Sequence, residues 1–469
     1  MALYLALGAS RPAAQGTPAT PADPAAQVRL ESLVEDSTPA GSSSVQEQTQ
    51  TEALPKPALE GDSVKPPNAD IAREIGDALR AIESDEPDLA RRETLGHTVE
   101  GREIPLIILS DLTVPGAKTR PAILFIEESG RSAQGARALT QLARRILERA
   151  KEQESVRRAL QEMSVLIAPL PDPDALVAAI PSVDGMQGEG IHLARNFPLG
   201  WRPERLLRGG GETPLSKPAT MAFAELLALE HRLLYAVGLS PYRQGKPYPG
   251  AEAKPADLAS YAFLGRELKA LSGGKRLIPW PQLASKGGSF LDYAYQGFGV
   301  YGLGLQIDEA LSVSESAEEV LQLLEGLTRT LPKLELKVLE PRRIGPSMWQ
   351  LDVEIANRSE LPTLSAIGRE RSLAGEIQLR LKGALIVASA SARWSATDQR
   401  AKPIYRETAF HTENAEPFVE LGTLLGGEAM HVRLIVRGET EEALELSVRA
   451  LRAVDATLKV HLLESGKGD

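Results

Sequence analysis

Hydrophobic residues in the first part of the chain follow two alternating patterns. Stripes spaced by three and four residues predict helices, and they occur at Ile71, Ile75, Leu79 and Ile82, at Ala138, Leu139, Leu142, Ile146 and Leu147, and over Met221–Leu233. Short, almost wholly apolar runs are typical of strands covered on both faces, and they are Glu103–Ile108, Ala122–Ile126, Ser164–Pro169 and Leu303–Ile307. We therefore predict an α/β fold, a mixed sheet with helices on both faces, whose ligand site lies at the carboxyl ends of the strands.

Beyond about Leu331 the spacing of hydrophobic residues changes to two. Segments in which apolar and polar residues alternate predict strands with one buried face, and they include Trp349–Ile355, Ile377–Leu381 and Val432–Val436. Turn-forming residues such as Gly426 and Gly427 separate them. We predict a C-terminal all-β sandwich domain whose role is packing or contact with a partner.

The N-terminal region has a composition of its own. Met1–Gly8 is a short apolar run followed by Ala-rich sequence, typical of the end of a secretory signal, although the basic segment that opens such signals is missing. Pro, Ala, Ser, Thr and Gln then dominate, and no aromatic residue occurs between Tyr4 and Phe125, so little apolar area is available for burial. We predict a truncated signal peptide over residues 1–15 with export to the periplasm or the extracellular space, a disordered linker over 16–68, the α/β domain over 69–331 and the β-sandwich domain over 332–469.

Charge and cysteine content exclude several kinds of chemistry. The formal net charge is -10 and the pI about 5.4, which argues against a general nucleic-acid binder. The chain has no cysteine, which excludes disulfides, thiolate metal ligands and cysteine nucleophiles. A histidine-based metal site must draw on His97, His192, His231, His411, His431 and His461. No run of about 18 apolar residues occurs, so we predict no membrane-spanning helix.

Five short motifs follow one another between Pro87 and Asp308. They are Leu95–Arg102 (LGHTVEGR), Asp172–Asp174 (DPD), His192–Phe197 (HLARNF), Pro214–Ala219 (PLSKPA) and Gly287–Tyr293 (GGSFLDY). In this order they resemble motifs of the zinc carboxypeptidases of the carboxypeptidase A type: EGR, Asn-Pro-Asp, Asp-Leu-Asn-Arg-Asn-Phe, Ser-Glu-Pro-Glu and Gly-Ser-x-x-Asp-Trp. The resemblance implies the α/β fold of that family.

The resemblance also implies a zinc site whose ligands this sequence does not keep. In the family, a His and a Glu of an H-x-x-E loop and a later His hold Zn²⁺, water takes an open position, and a glutamate on a late strand acts as general base. By spacing, the ligand positions hold Ser129, Ser132 and Leu239, and the base position holds Gln306. Two hydroxyls and an alkyl chain are not a zinc ligand set at neutral pH. We predict no catalytic residue and no cofactor, with zinc bound only if the family chemistry survives these substitutions.

The substrate-binding arginine of the family is still present. Arg195 matches the residue that grips the terminal carboxylate of a substrate, and Asn196 follows it as in the family. Arg131 lies inside the former ligand loop, where the family often has an arginine. The fork of a guanidinium suits a carboxylate, yet Arg195 could equally be a structural residue that bridges to Asp172 or Asp174.

Further polar residues allow weaker interpretations. His97 and Glu100 have H-x-x-E spacing, but positions i and i+3 of a strand point to opposite faces, so we predict an exposed turn pair. His192 is either a packed histidine or a metal ligand. We expect Glu127–Glu128 to be solvated loop carboxylates, the alternatives being a cation site or an acid–base pair. Glu230–Arg232 is expected on the solvated face of a helix.

Three hypotheses on function follow. The first is an exported carboxypeptidase-like pseudoenzyme that binds peptides or proteins with a free C-terminal carboxylate through Arg195, Asn196 and Arg131 without cleaving them. The second is an interaction or scaffold protein whose cleft is filled. The third is an active metallocarboxypeptidase with a relocated metal site that uses His192 and nearby carboxylates.

Overall fold

The computed structural model describes most of the chain. The described residues are 68–178, 192–206, 209–240, 253–269, 277–279, 287–308, 310–339, 341–394, 407–410, 418–438 and 443–462. The prediction of a signal peptide over 1–15 lies outside them, and so does that of a linker over 16–68 except for its last residue.

Helices and strands alternate from Ala69 to Thr330, as predicted. The helices are α1 (Ala69–Asp85), α2 (Ala133–Glu152), α3 (Glu154–Glu162), α4 (Pro173–Val177), α5 (Pro218–Leu229), α6 (Pro255–Lys269), α7 (Phe290–Phe298) and α8 (Val313–Thr330). The strands are β1 (Ala90–His97), β2 (Glu103–Leu109), β3 (Ala122–Glu127), β4 (Ser164–Ala168), β5 (Leu233–Ser240), β6 (Leu277–Pro279) and β7 (Tyr301–Gln306).

These strands form one mixed sheet in the order β1-β2-β4-β3-β5-β7-β6. The four central strands run parallel, while β1, β2 and β6 pair in antiparallel fashion at the sides. Every residue of β3 is buried, so both faces of the sheet are covered at its centre. This confirms the α/β architecture and confines polar chemistry to the ends of the central strands.

The turn after α5 corrects one prediction. The helix expected over Met221–Leu233 ends at Leu229, and β5 begins four residues later. Arg232 is therefore not on a solvated helix face: it is buried, and its guanidinium donates to Glu230 at 2.6 Å. Only Glu230, His231 and Arg232 separate the two apolar elements, and no glycine or proline marks the turn between them.

The C-terminal part is built of antiparallel strands. They are β8 (Leu334–Val338), β9 (Arg342–Gly345), β10 (Met348–Asn357), β11 (Gln378–Lys382), β12 (Leu385–Trp394), β13 (Glu407–Phe410), β14 (Phe418–Glu420), β15 (Ala429–Arg437), β16 (Ala443–Arg449) and β17 (Ala456–His461), with the short helix α9 (Ala366–Glu370). One sheet has the order β13-β12-β15-β10-β8, with β9 also on β10, and the other has the order β14-β11-β16-β17.

The two sheets share one core, which confirms the predicted sandwich. The alternating apolar residues of β10, such as Trp349 and Leu351, are fully buried with those of β11 and β16, such as Leu379 and Leu446. Polar residues occupy the positions between them along β10. Among the helices of the described ranges, none has the length and hydrophobicity needed to cross a membrane.

Candidate functional site

The positions predicted to have lost the zinc ligands and the base lie together at one edge of the first sheet. Glu127 at the end of β3 is in register with Leu239 of β5, and Leu239 is in register with Leu305 of β7. Gln306 follows directly and pairs with Ser240. The fold therefore brings these strand ends together as the resemblance implied, and the side chains there decide the chemistry.

Ser132, at the lost glutamate position, has a structural task. It is the N-cap residue of α2, and its hydroxyl accepts a hydrogen bond from the Gly135 N–H at 3.0 Å. A serine N-cap satisfies one of the unpaired N–H groups at the start of a helix. Its oxygen is thereby committed to the backbone and is a neutral, weak donor for a metal.

Ser129, at the lost histidine position, is bonded to Glu127. Its hydroxyl donates to Glu127 Oε1, and its own N–H donates to the same oxygen at 3.2 Å. The N–H of Ser132 approaches Glu127 Oε2 at 3.4 Å. Glu127 is 1% exposed, and its burial raises the pKa to about 7, with the hydrogen bonds of Ser129 opposing the rise. The expectation that Glu127 is a solvated loop carboxylate is wrong, because the chain folds this side chain into the space beside its own loop.

Glu128 lies on the other face of the strand. Glu128 is half-buried. A Cβ at position 238 of β5 would lie only 2.6 Å from Glu128 Oε2, so the carboxyl group packs against β5 at a position where only glycine fits. Burial and the negative charges of Asp292 and Glu127 raise the pKa of Glu128 to about 8. The expectation of a solvated side chain is wrong for Glu128 as well.

The residues present at the zinc position do not fit the metal. Ser129 and Ser132 have the hydrogen bonds described above, and Leu239 is fully buried in the hydrophobic core. Gln306 is half-buried and carries an amide, which does not accept a proton near neutral pH. Within the described ranges no group of three or more His, Asp or Glu side chains could hold a metal ion.

Arg195 lies close to this edge, at the end of a short 3₁₀ helix over Leu193–Arg195. Only 9% of the residue is exposed. The loop before α7 packs tightly on it: Gly288 has a φ of 76°, and a Cβ there would lie 2.4 Å from the Arg195 carbonyl oxygen. The Phe197 N–H donates to the Gly288 carbonyl at 3.0 Å, so the backbone of this segment is held by the start of α7.

Asn196 is fully buried and organises the neighbouring loops. Its amide nitrogen donates to the carbonyls of Gly210 at 2.7 Å and Thr213 at 2.9 Å. Its amide oxygen accepts from the Thr220 hydroxyl at 2.8 Å and the Lys217 N–H at 3.1 Å. These contacts explain the residue without a ligand, and a substrate contact by Asn196 stays a prediction.

His192 is buried among positive charges. It is 5% exposed, and its Nε2 has no hydrogen-bond partner among the described residues. Burial first, and then the charges of Arg131, Arg195 and Lys217, together lower the pKa of His192 to about 4. The same positive field repels a metal cation and attracts an anion. Sequence reasoning missed this convergence because the three cations come from three separate motifs.

The aspartates of the DPD motif have other partners. Asp172 is fully buried and forms an ion pair with Lys217, and it accepts the Ala175 N–H at 3.2 Å as the N-cap of α4. Asp174 accepts from Arg102 Nη1 and from the Thr98 hydroxyl at 2.7 Å. Asp172 and Asp174 are the two carboxylates expected to pair with a structural Arg195. The structure shows Lys217 at Asp172 and Arg102 at Asp174.

His97 and Glu100 form the exposed turn expected of them. His97 ends β1 at the surface, and Glu100 is exposed and pairs with Arg102 at 2.7 Å. Gly209 has a φ of 86° and packs on the His192 ring, where a Cβ would lie 1.9 Å from Cδ2.

Two family models match the chain. A model described as zinc carboxypeptidase matches residues 75–273, which contain the former ligand loop, the DPD motif and Arg195. Over residues 75–273 the chain is therefore similar to the zinc carboxypeptidase family. Among the described residues no group of side chains could hold a metal ion, which is consistent with a degenerate member of that family. A second model, a domain of unknown function (DUF8731), matches residues 333–461, which form the β sandwich.

Several solved structures are similar to the carboxypeptidase-like part. Carboxypeptidase A from Helicoverpa armigera is 14% identical with a TM-score of 0.45, over 55% of this chain and 72% of that chain. Thrombin activatable fibrinolysis inhibitor is also 14% identical with a TM-score of 0.45, over 55% of this chain and 73% of that chain. A metallo-carboxypeptidase from Burkholderia cenocepacia is 15% identical with a TM-score of 0.39, over 55% and 68%. The search of curated proteins gave no match.

Proposed function

We propose that this chain is a carboxypeptidase-like pseudoenzyme that binds the free C-terminal carboxylate of peptides and does not hydrolyse them. One observation carries the proposal. The two hydroxyls at the former ligand positions have structural hydrogen bonds, to Glu127 and to the start of α2, while positive charge is kept around His192. In this proposal the residues needed for hydrolysis are replaced, whereas the positive charge that attracts an anion is kept.

The residues at the strand ends support binding rather than turnover. Peptide hydrolysis needs an activated water and a polarised carbonyl. Gln306 is not a base, and the Ser129 hydroxyl donates a hydrogen bond to Glu127. Arg195, by contrast, carries a guanidinium, the group whose planar shape suits a carboxylate. Its burial strengthens any such contact, because charges interact more strongly where water is scarce.

Export is a further part of the proposal. Its support is the apolar run Met1–Gly8 with the small residues that follow. Fractionation of the source cells with an antibody against the full chain tests it: we expect the protein outside the cytoplasm, shortened at its N-terminus, and recovery of the unshortened chain in the cytoplasm would contradict it.

Metal analysis and calorimetry together test the binding function. The untagged protein is analysed for zinc and titrated with a library of N-acetylated tripeptides, each with a free carboxylate and as the C-terminal amide. We expect substoichiometric zinc, binding of carboxylates but not of amides, and no cleavage. Arg195→Ala should weaken binding at least tenfold, since a charge-assisted hydrogen bond contributes about 1.5–3 kcal/mol. Arg205→Ala, which removes an exposed arginine ten residues away, is the matched control and should bind normally.

Two other outcomes would favour the alternatives. The scaffold hypothesis is supported by Glu127, whose buried carboxyl fills space beside the former ligand loop. Equal and negligible binding of every carboxylate and amide would favour the scaffold. Stoichiometric zinc, lost on chelation together with peptide cleavage, would show an active metallocarboxypeptidase and overturn the pseudoenzyme.

A further inference from the structure

Arg452 connects the β sandwich to the carboxypeptidase-like domain. It lies between β16 and β17 and is 2% exposed. Its guanidinium donates to three backbone carbonyl oxygens of the other domain: those of His231 at 3.0 Å, Phe298 at 2.8 Å and Gly299 at 2.9 Å. Burial lowers the pKa of Arg452 to about 10. A buried cation is costly unless its donors are satisfied, so this contact is specific.

Two of these carbonyls belong to the C-terminal end of α7. The last carbonyls of a helix have no partner inside the helix, and a cation placed there also interacts favourably with the helix dipole. Gly299 ends the helix in the left-handed conformation with a φ of 62°. The Ser365 hydroxyl, also from the C-terminal part, donates to the Gly299 carbonyl at 2.7 Å. The sandwich therefore completes the end of a helix that belongs to the other domain.

In a second contact the side chain belongs to the carboxypeptidase-like domain and the backbone groups belong to the C-terminal part. Asp257, on α6, is 1% exposed and accepts the N–H groups of Ala366 at 2.7 Å and Ile367 at 3.2 Å, at the start of α9. It also accepts the Tyr295 hydroxyl of α7 at 2.8 Å. The Asp257 carboxylate thus bonds α7 and the C-terminal part at the same time.

The opposite end of α7 lies at the candidate site. The Glu128 carboxyl group and the Leu291 side chain both pack on Gly238, and the charge of Asp292 contributes to the raised pKa of Glu128. Phe197, two residues after Arg195, packs against Phe290 with the ring centroids 5.5 Å apart. Nine residues rise about 13 Å. A helix this short is not stable on its own in water, so its position depends on what holds its two ends.

We propose that the β sandwich, the domain matched by the model of unknown function, holds α7 in place for the candidate site. Arg452 is the main positioning residue, and it acts on Glu128 and on the Arg195–Phe197 segment through α7. The inference does not depend on which ligand the site binds, or on whether it binds one.

Hydrogen–deuterium exchange of the full chain tests this role. Arg452→Met keeps an unbranched apolar stem and removes the guanidinium donors. We expect amides of the first turn of α7 and of Arg195–Phe197 to exchange about tenfold faster or more, while those in the middle of α2 change less than about threefold. Ser365→Ala, which removes one hydrogen bond, should give a smaller change in the same segments. Arg452→Lys keeps a charge and should recover part of the protection.

Arg433→Met is the matched control. Arg433 is an arginine of the same domain that pairs with Asp352 at 2.7 Å on the surface of the sandwich, and its loss should leave α7 unchanged. Faster exchange confined to β16 and β17, or an equal acceleration in α2 and α7, would overturn the proposal, because Arg452 would then act only on local or global stability. If Arg452→Met does not fold, Ser365→Ala and Arg452→Lys decide by the same comparison.

Discussion

Glu127→Gln tests whether the buried carboxyl group at the former metal site is held in its protonated form. Glutamine has nearly the same shape as a protonated glutamate but does not titrate. Its amide oxygen can still accept from the hydroxyl and the N–H of Ser129, the two contacts that Glu127 Oε1 now makes. The substitution therefore removes the titration with little change in packing.

The expected size follows from the pKa of Glu127. Burial raises it from 4.5 to about 7, which corresponds to about 3 kcal/mol between the two protonation states. The folded protein holds the proton more tightly than the unfolded chain, so this contribution to the free energy of unfolding is fully present below pH 4.5. It is lost as the pH rises through about 7. Glutamine does not titrate, so the variant keeps its stability where the wild type loses this contribution. The free energy of unfolding of Glu127→Gln minus that of the wild type should therefore increase by about 3 kcal/mol between pH 4 and pH 8.

Urea unfolding followed by circular dichroism at pH 4, 5, 6, 7 and 8 measures this difference. Other groups titrate in the same range, but they cancel when the variant is compared with the wild type at each pH. Glu128 is the exception, because the charge of Glu127 contributes to its raised pKa. Glu128→Gln and the double variant are measured alongside to separate the two. Glu148→Gln, an exposed change on α2, controls for the loss of one negative charge.

Parallel stability profiles for wild type and Glu127→Gln between pH 4 and pH 8 would refute the reasoning. That result would mean that Glu127 is ionised in the fold and solvated, as the sequence alone suggested. A pH-dependent difference seen in Glu128→Gln but not in Glu127→Gln would assign the titration to Glu128.

Two further predictions concern the former family motifs. Ser132→Ala removes the hydroxyl that caps α2 and should lower the free energy of unfolding by about 1 kcal/mol. Ser132→Asp should retain most of the cap. An unchanged urea midpoint in Ser132→Ala would show that the cap has no stabilising role. Lys217→Met leaves the carboxylate of Asp172 buried without its ion partner and should cost about 3–5 kcal/mol. Adding Asp172→Asn should recover most of that loss, and additive losses in the double variant would show that the two side chains are not coupled.

The architecture could be predicted from sequence wherever the pattern of hydrophobic residues alone decided which faces of an element are buried. The buried strand β3 is a run of apolar residues that needs cover on both faces, and the alternating residues of β10 allow only one buried face. The motifs located the strand ends that meet at the site. At the junction of α5 and β5 the three polar residues between the two apolar elements fit a helix face as well as a turn, and no glycine or proline marks the boundary.

The environment of the polar side chains was much harder to predict. Glu127 is a glutamate at the end of a strand next to a polar loop, where the sequence predicts a solvated side chain, and its carboxyl group is bonded to Ser129 and to the start of α2. The low pKa of His192 depends on cations from separate motifs. Arg452 belongs to another domain from the helix end that it caps. Each of these outcomes depends on distances across the fold that no local spacing encodes.

The substitutions at the former metal site form one structural unit rather than independent losses. Ser132 has become a helix cap, Ser129 is bonded to Glu127, and Leu239 belongs to the core. Returning a histidine to position 129 alone would remove a hydrogen bond to a buried carboxyl group and would leave the other two positions unable to bind metal.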